Sequence, residues 1–335
     1  MLLWPKFIVA AAVVVFSGYK ICIYANRLAQ SLKLSRGFIG FMLLAVVTSL
    51  PELVVTISAT KFGALNLALA DLFGSNLFNL TIVGVILLVF TKRPKLLTFE
   101  SAHFISSAFS VLLIAVAMLG IVFYSFINPQ LSYSKFFLDV ESALILVIYI
   151  FGTYLVFRSE KGRIEGVAES DSLKKNALGI WLRFLFYGAI LVGFAIFLSQ
   201  LGDRIAHIPV KGVALGGTFV GGLFIALTTS LPEMAVAISA VRLGFLDMAL
   251  GDIFGSNMFN IFIIPIMDLT LGRKIVLSSV GAIHLFTAIF VIISTALVLA
   301  GLTFRSRRKV PALAWDSAAI LFVYFVANLV NFYLR

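Results

Sequence analysis

Long apolar stretches separated by short polar ones run the length of the chain. Runs of roughly 20 apolar residues suffice to cross a bilayer core as a helix. Such runs fall at about 5–25, 37–60, 64–91, 101–125, 137–158, 180–202, 213–241, 245–269, 279–302 and 312–334. The pattern predicts an all-α, polytopic membrane protein with ten transmembrane helices. The only long polar stretch is 159–177, Ser-Glu-Lys-Gly-Arg-Ile-Glu-Gly-Val-Ala-Glu-Ser-Asp-Ser-Leu-Lys-Lys-Asn-Ala.

The apolar pattern is interrupted twice in the same way. Thr48-Ser49-Leu50-Pro51-Glu52 recurs as Thr229-Ser230-Leu231-Pro232-Glu233, and Gly74-Ser75-Asn76-Leu77-Phe78-Asn79 recurs as Gly255-Ser256-Asn257-Met258-Phe259-Asn260. The offset is 181 throughout, and 38–80 aligned with 219–261 without gaps has 23 identities in 43 positions. The correspondence extends outward. Trp4-Pro5-Lys6-Phe7 pairs with Trp181-Leu182-Arg183-Phe184, His103 with His284, and Glu141-Ser142-Ala143 with Asp316-Ser317-Ala318. The unit is therefore a five-helix half, 1–158 against 178–335, joined by the 159–177 linker. The first run has a partner in the sixth and is read as a retained helix, not a cleaved signal. Five is odd, so the second half is expected to enter the membrane from the opposite side, an inverted repeat of the kind used by secondary transporters.

Composition agrees. The 335 residues are 61% hydrophobic and only 12% charged, with mean hydropathy +1.10, which excludes a soluble domain of this size. The net charge of +11 does not point to nucleic acid. Of the 26 Lys and Arg, 17 fall on the side reached by the first span, 8 fall on the side of the N-terminus, and Lys20 lies inside the first span. The positive-inside rule makes the richer side cytoplasmic and puts both termini outside. The basic runs Lys92–Lys95 and Arg305–Lys309 read as topology signals. The single Cys22 offers neither a disulfide nor a Cys-based metal site. There is no H-E-x-x-H, no G-x-S-x-G and no nucleotide loop, and the three His are far apart. The chain is therefore read as neither an enzyme nor a holder of a cofactor.

Each repeated motif puts a carboxylate inside an apolar helix, where it is costly and therefore points to function. Pro51 lacks an N–H and disrupts the turn before it. Backbone freed at membrane depth is tolerated only where it lines a cavity or is buried in protein. Carbonyls, hydroxyls and a carboxylate together make an all-oxygen site, which suits hard cations such as Ca²⁺ and Na⁺. Ala45, Thr48, Ser49 and Glu52 recur at helical spacing, and Asp71, Ser75 and Asn79 lie four apart. The second half repeats both sets, with Ala226, Thr229, Ser230 and Glu233, then Asp252, Ser256 and Asn260. Small residues at Gly74, Gly255, Ala59, Ala68, Ala240 and Ala249 allow helices to approach closely around them.

These paired motifs resemble the repeats of the cation/Ca²⁺ exchanger superfamily, in particular its prokaryotic sodium/calcium exchanger branch, whose patterns read approximately G-T-S-x-P-E and G-S-N-x-x-N/D. The resemblance covers nearly the whole chain. It implies a central ion site of Thr48, Ser49, Glu52, Ser75, Asn79, Thr229, Ser230, Glu233, Ser256 and Asn260, with backbone carbonyls from Ala45 and Ala226. It also implies alternating access, in which the first and sixth helices slide against the other eight while Na⁺ and Ca²⁺ compete for overlapping positions. Three departures stand out. The Gly before Thr-Ser is Val47 and Thr228. Both closing positions are amides, Asn79 and Asn260, where the family has one Asp. The position four before the motif Ser, often Asn in the family, is Asp71 and Asp252.

Charge explains why this matters. Glu52 and Glu233 together supply −2, which one Ca²⁺ neutralises, whereas three Na⁺ leave +1, at a cost of several kcal/mol in a dry site. Asp71 or Asp252 is the candidate replacement for the missing carboxylate. The expected function is secondary antiport of Ca²⁺ or a related cation for Na⁺, with transiently bound ions and the lipid bilayer as the only partners. The alternative is a cation/H⁺ antiporter on the same scaffold, and a passive cation channel is the weakest reading. His103 and His284 are read as helix-end residues, with pH sensing near a pKa of about 6.5 as the alternative. Glu141 and Asp316 are expected to cap their helices, and His207 lies in an outer loop. The lack of a large regulatory loop and of a transit peptide points to a prokaryotic plasma membrane.

Overall fold

The computed structural model describes residues 2–90, 101–133, 138–160, 176–206, 208–210, 213–214, 227–307 and 315–334. They form helices α1 (Leu3–Leu32), α2 (Arg36–Thr48), α3 (Leu50–Lys61), α4 (Leu65–Phe90), α5 (Ser101–Val122), α6 (Val140–Glu160), α7 (Ala177–Ala206), α8 (Leu231–Arg242), α9 (Leu246–Leu271), α10 (His284–Arg307) and α11 (Trp315–Tyr333). Eight of them are long and apolar enough to cross a membrane, and the bent pair α2–α3 makes nine spans among the described residues. The chain is an all-helical integral membrane protein.

The expected span 213–241 is the one that differs. Val213–Ala214 forms a strand, paired antiparallel with Pro209–Val210. The apolar run there opens as strand, not helix. Residues 215–226 lie outside the described set, as do most of the linker, Lys92–Lys95 and His207. Elsewhere the helices outrun their apolar cores. α1 continues past Asn26 and Arg27 to Leu32 because helical hydrogen bonds need no apolar side chain, and it stops only where Lys33 turns left-handed at φ 55.

Local sequence explains the elements around the centre. Ser35 Oγ accepts the Phe38 N–H at 3.0 Å and starts α2. α2 widens to a π-helical turn over Gly40–Leu44. It ends at Ser49 (φ −89, ψ 2), and α3 begins at once with Pro51 in its first turn, bent by 40°. Ser230 (φ −93, ψ 15) and Pro232 stand in the same relation to α8. Both following reversals use a left-handed glycine, Gly63 at φ 76 and Gly244 at φ 80. In each the glycine N–H reaches the Thr60 or Val241 carbonyl, and the next N–H reaches Ala59 or Ala240, a helix-ending arrangement that suits glycine.

α4 and α9 are the innermost helices. Their most apolar stretches are 78% and 89% buried, against 33% for α1 and α7. They pack on one another. α5 and α6 cover α9, while α10 and α11 cover α4, so the closing helices of each half wrap the inner helix of the other. α1 and α7 lie side by side against α8, with a small core of their own around Val14, Leu198 and Ala235. At 30 residues each they span about 45 Å, longer than a bilayer core of about 30 Å.

α2 meets α9 backbone to backbone. A Cβ on Gly40 would lie 2.2 Å from the Met248 carbonyl oxygen, and one on Gly251 would lie 2.2 Å from that of Gly37. Neither neighbour is a flexible side chain. Gly251→Ala is therefore expected to destabilise the purified protein by about 1–3 kcal/mol through overpacking, read as a lower melting temperature. Gly193→Ala, in α7 with open space around it, is expected not to lower it. Equal melting temperatures would remove the close-approach argument.

Candidate functional site

The two breaks and the two inner helices converge. Thr48, Ser49 and Glu52 sit at the α2–α3 break, and Ser230 and Glu233 sit at the start of α8 with Thr229 just before them. Asp71, Ser75 and Asn79 form one stripe of α4, and Asp252, Ser256 and Asn260 form the matching stripe of α9. Ala226 lies outside the described residues. Thr48, Ser49, Glu52, Ser75, Asn79, Ser230, Glu233, Asp252, Ser256 and Asn260 are all buried.

The first half's break docks on the second half's inner helix. Thr48 Oγ1 lies 3.0 Å from the Leu44 carbonyl, 3.1 Å from Asp252 Oδ1 and 3.2 Å from Ser256 Oγ. Ser256 Oγ also donates towards the Ala45 carbonyl at 3.5 Å. That carbonyl also accepts the Ser49 N–H at 3.1 Å and lies 3.3 Å from Thr48 Oγ1, so it is shared among groups of both halves. Pro51 and Pro232 cannot donate to the Val47 and Thr228 carbonyls four residues earlier.

Around this contact, buried oxygens lack hydrogen-bond donors. They are Oε1 and Oε2 of Glu52 and of Glu233, Oδ2 of Asp71 and Asp252, Oδ1 of Asn79 and Asn260, and the hydroxyls of Ser49, Ser75 and Ser230. Glu52 lies within electrostatic range of Glu233, Asp71 and Asp252, and Glu233 lies within range of Asp252. Buried polar atoms are normally satisfied, and buried carboxylates are normally paired. A concentration of donor-free acceptors on both helix breaks is what a bound cation would complete. Among the described residues no three of His, Cys, Asp and Glu converge as metal ligands. The groups available to such a cation are two glutamates and neutral oxygens, with the two aspartates beside them.

Two residues that the motif spacing does not single out, Asn76 and Asn257, cross between α4 and α9. Asn76 Nδ2 donates to the Asn257 carbonyl at 3.1 Å, and Asn257 Nδ2 donates to the Asn76 carbonyl at 3.3 Å. Their side-chain oxygens then accept Asn79 Nδ2 and Asn260 Nδ2, each at 3.0 Å. This exchange locks the inner helices together and fixes which way the closing amides face, leaving Asn79 Oδ1 and Asn260 Oδ1 free. It also explains the amides themselves. An Asp at either closing position would have no N–H to give. The signal that could find this pair is the identity of Asn76 and Asn257 across the repeat, at the same offset as their neighbours.

Comparison with known proteins agrees with this geometry. A family model described as sodium/calcium exchanger protein matches residues 2–158 and 179–333. The inner membrane protein YrbG of Escherichia coli (strain K12) is 30% identical over 267 residues, covering 77% of this chain and 76% of that one. The sodium/calcium exchanger MaX1 of Methanosarcina acetivorans is 28% identical over 92% of this chain and 93% of its own. In fold, the chain matches the sodium-calcium exchanger NCX_Mj soaked with 10 mM Na⁺ and zero Ca²⁺. The TM-score is 0.71 with 16% identity over 97% of both chains. With the matched family model spanning both halves of the chain, this protein belongs to the sodium/calcium exchanger family.

Proposed function

We propose that this protein is a secondary antiporter that exchanges Ca²⁺ for Na⁺ by alternating access. The observation that carries the reading is the cluster of donor-free oxygens from Glu52, Glu233 and their neighbours, buried where the α2–α3 break and the start of α8 come together. The ligands are Thr48, Ser49, Glu52, Ser75 and Asn79 with Thr229, Ser230, Glu233, Ser256 and Asn260, helped by the Ala45 and Ala226 carbonyls and by Asp71 and Asp252. Ten spans in two inverted halves, 1–158 and 178–335, build the site, with the 159–177 linker cytoplasmic and both termini outside a prokaryotic plasma membrane. The twofold recurrence of breaks, reversals and covering helices supports that architecture, as does the family match in two segments. α1 and α7 pack chiefly on each other and also on α2, α3 and α8, outside the inner pair, and this supports their sliding as a unit to open the site to either face. The counter-ion gradient drives transport, and the chain acts as a transporter, not an enzyme.

Four carboxylates with amides at Asn79 and Asn260 also favour a second reading, exchange of a cation for H⁺. Radiolabelled Ca²⁺ uptake into proteoliposomes separates the two. Uptake driven by an outward Na⁺ gradient at equal pH is expected. Uptake driven by a pH gradient alone would replace Na⁺ with H⁺ as the coupling ion, and uptake with neither gradient would mean a passive path.

A further inference from the structure

His103 and His284 occupy matched places outside the ion site. His284, the first residue of α10, has Nε2 3.1 Å from Asn66 Oδ1 in the first turn of α4, and the same oxygen accepts the Gly281 N–H at 2.7 Å. Its ring also stands 6.5 Å, edge-on, from that of Phe73. His103, near the start of α5, has Nε2 3.5 Å from Asp247 Oδ1 in the first turn of α9, and its ring lies 6.3 Å from that of Phe254. Asn66 and Asp247, Phe73 and Phe254, and the two histidines are all partners at the 181-residue offset. Both rings are buried, 1% and 5% exposed, far more than helix-end residues facing an interface would be. In each half the histidine meets the inner helix of the other half at two points seven residues apart, His284 through a hydrogen bond and His103 through a 3.5 Å approach to Asp247 that is not a hydrogen bond. Phe73 lies between Asp71 and Ser75, and Phe254 lies between Asp252 and Ser256.

We infer that His103 and His284 are positioning residues for ion binding, each clamping the first turns of the opposite half's site-bearing helix so that its Asp, Ser and Asn face the centre. The inference rests on the antiport reading for its transport readout. A clamp on ligand-bearing helices acts as outer-shell support does at metal sites, where its loss costs roughly 10–100-fold in affinity. His284→Leu and His103→Leu are therefore expected to raise the half-saturating Ca²⁺ concentration by at least roughly 10-fold while the maximal rate per folded molecule stays near wild type. A merely structural role would lower the amount of folded protein and leave half-saturation unchanged. His284→Gln, which keeps a donor towards Asn66, is expected to restore affinity. Asp247→Asn, which gives the second clamp the chemistry of the first, is expected to leave it near wild type.

Amide hydrogen exchange of residues 65–71 and 246–252 in the purified protein reads the clamps without transport. It is expected to quicken at 65–71 in His284→Leu and at 246–252 in His103→Leu, and to remain slow in His284→Gln. Unchanged half-saturation or unchanged exchange in the Leu variants would overturn the inference. Failure of wild-type Na⁺-driven uptake would instead overturn the antiport reading, with hydrogen exchange still deciding on the clamps.

Discussion

Glu52→Gln is expected to abolish Na⁺-driven Ca²⁺ uptake, and Glu233→Gln to do the same. Each glutamate is buried, at 2% and 0% exposed, and the two carboxylates face each other with no donor from any other side chain. In the wild type the pair supplies −2 against the +2 of Ca²⁺. Gln keeps the shape but would leave one positive charge of a bound Ca²⁺ uncompensated among buried groups. Such a charge costs several kcal/mol, and each 1.4 kcal/mol is tenfold. The rate at fixed Ca²⁺ is therefore expected to fall by at least about 100-fold. Folding is expected to survive, because a buried carboxylate without a partner is a burden on stability and a neutral amide is a smaller one. The check is radiolabelled uptake per molecule of purified protein alongside the melting temperature. Normal transport by both variants would remove the glutamates from the site. Loss of transport together with a collapse of the melting temperature would assign them a structural role.

The internal repeat by itself makes much of this site legible. A constant offset of 181 over 38–80 gives any residue used in one half a counterpart in the other, so Glu52 implies Glu233 and Ser75 implies Ser256. What a repeat cannot give is how the halves touch. Register within a half says nothing about which side chains cross, so the docking of Thr48 on Asp252 and Ser256 and the Asn76–Asn257 exchange emerge only in three dimensions. The backbone detail behind them is hidden for related reasons. The π-helical turn at Gly40–Leu44 has no residue signature; it lies where Gly40 presses on the Met248 carbonyl of α9, a contact outside its own segment. The strand at Val213–Ala214 is lost in an apolar run because periodicity alone does not separate a short apolar strand from a helix. The two histidines do lie near helix starts, but they are buried and not interfacial, because Asp247 and Asn66 beside them belong to the opposite half.

The Asn76–Asn257 exchange also constrains where negative charge can go. Asn79 and Asn260 must each donate an N–H to it, so a third carboxylate cannot sit at either closing position without breaking the lock. Further back along the same stripes stand Asp71 and Asp252, each with a buried, donor-free Oδ2 and each within electrostatic range of Glu52. Asp252 is further fixed by Thr48 at the break itself. Under the proposed exchange, these aspartates are the candidates to balance a third Na⁺. Asp252→Asn combined with Asp71→Asn is therefore expected to separate two activities. Exchange of Ca²⁺ for Ca²⁺ needs only the −2 of the glutamates and is expected to persist within a fewfold of wild type. Na⁺-driven uptake is expected to fall by about 10–100-fold, which corresponds to about 1.4–2.7 kcal/mol for the uncompensated charge, and its dependence on membrane potential is expected to change. Paired flux assays at several imposed potentials read both quantities in one preparation. If Na⁺-driven uptake in the double variant keeps its rate and its voltage dependence, the aspartates carry none of the compensating charge. The two glutamates would then have to hold the Na⁺-loaded state with neutral oxygens alone.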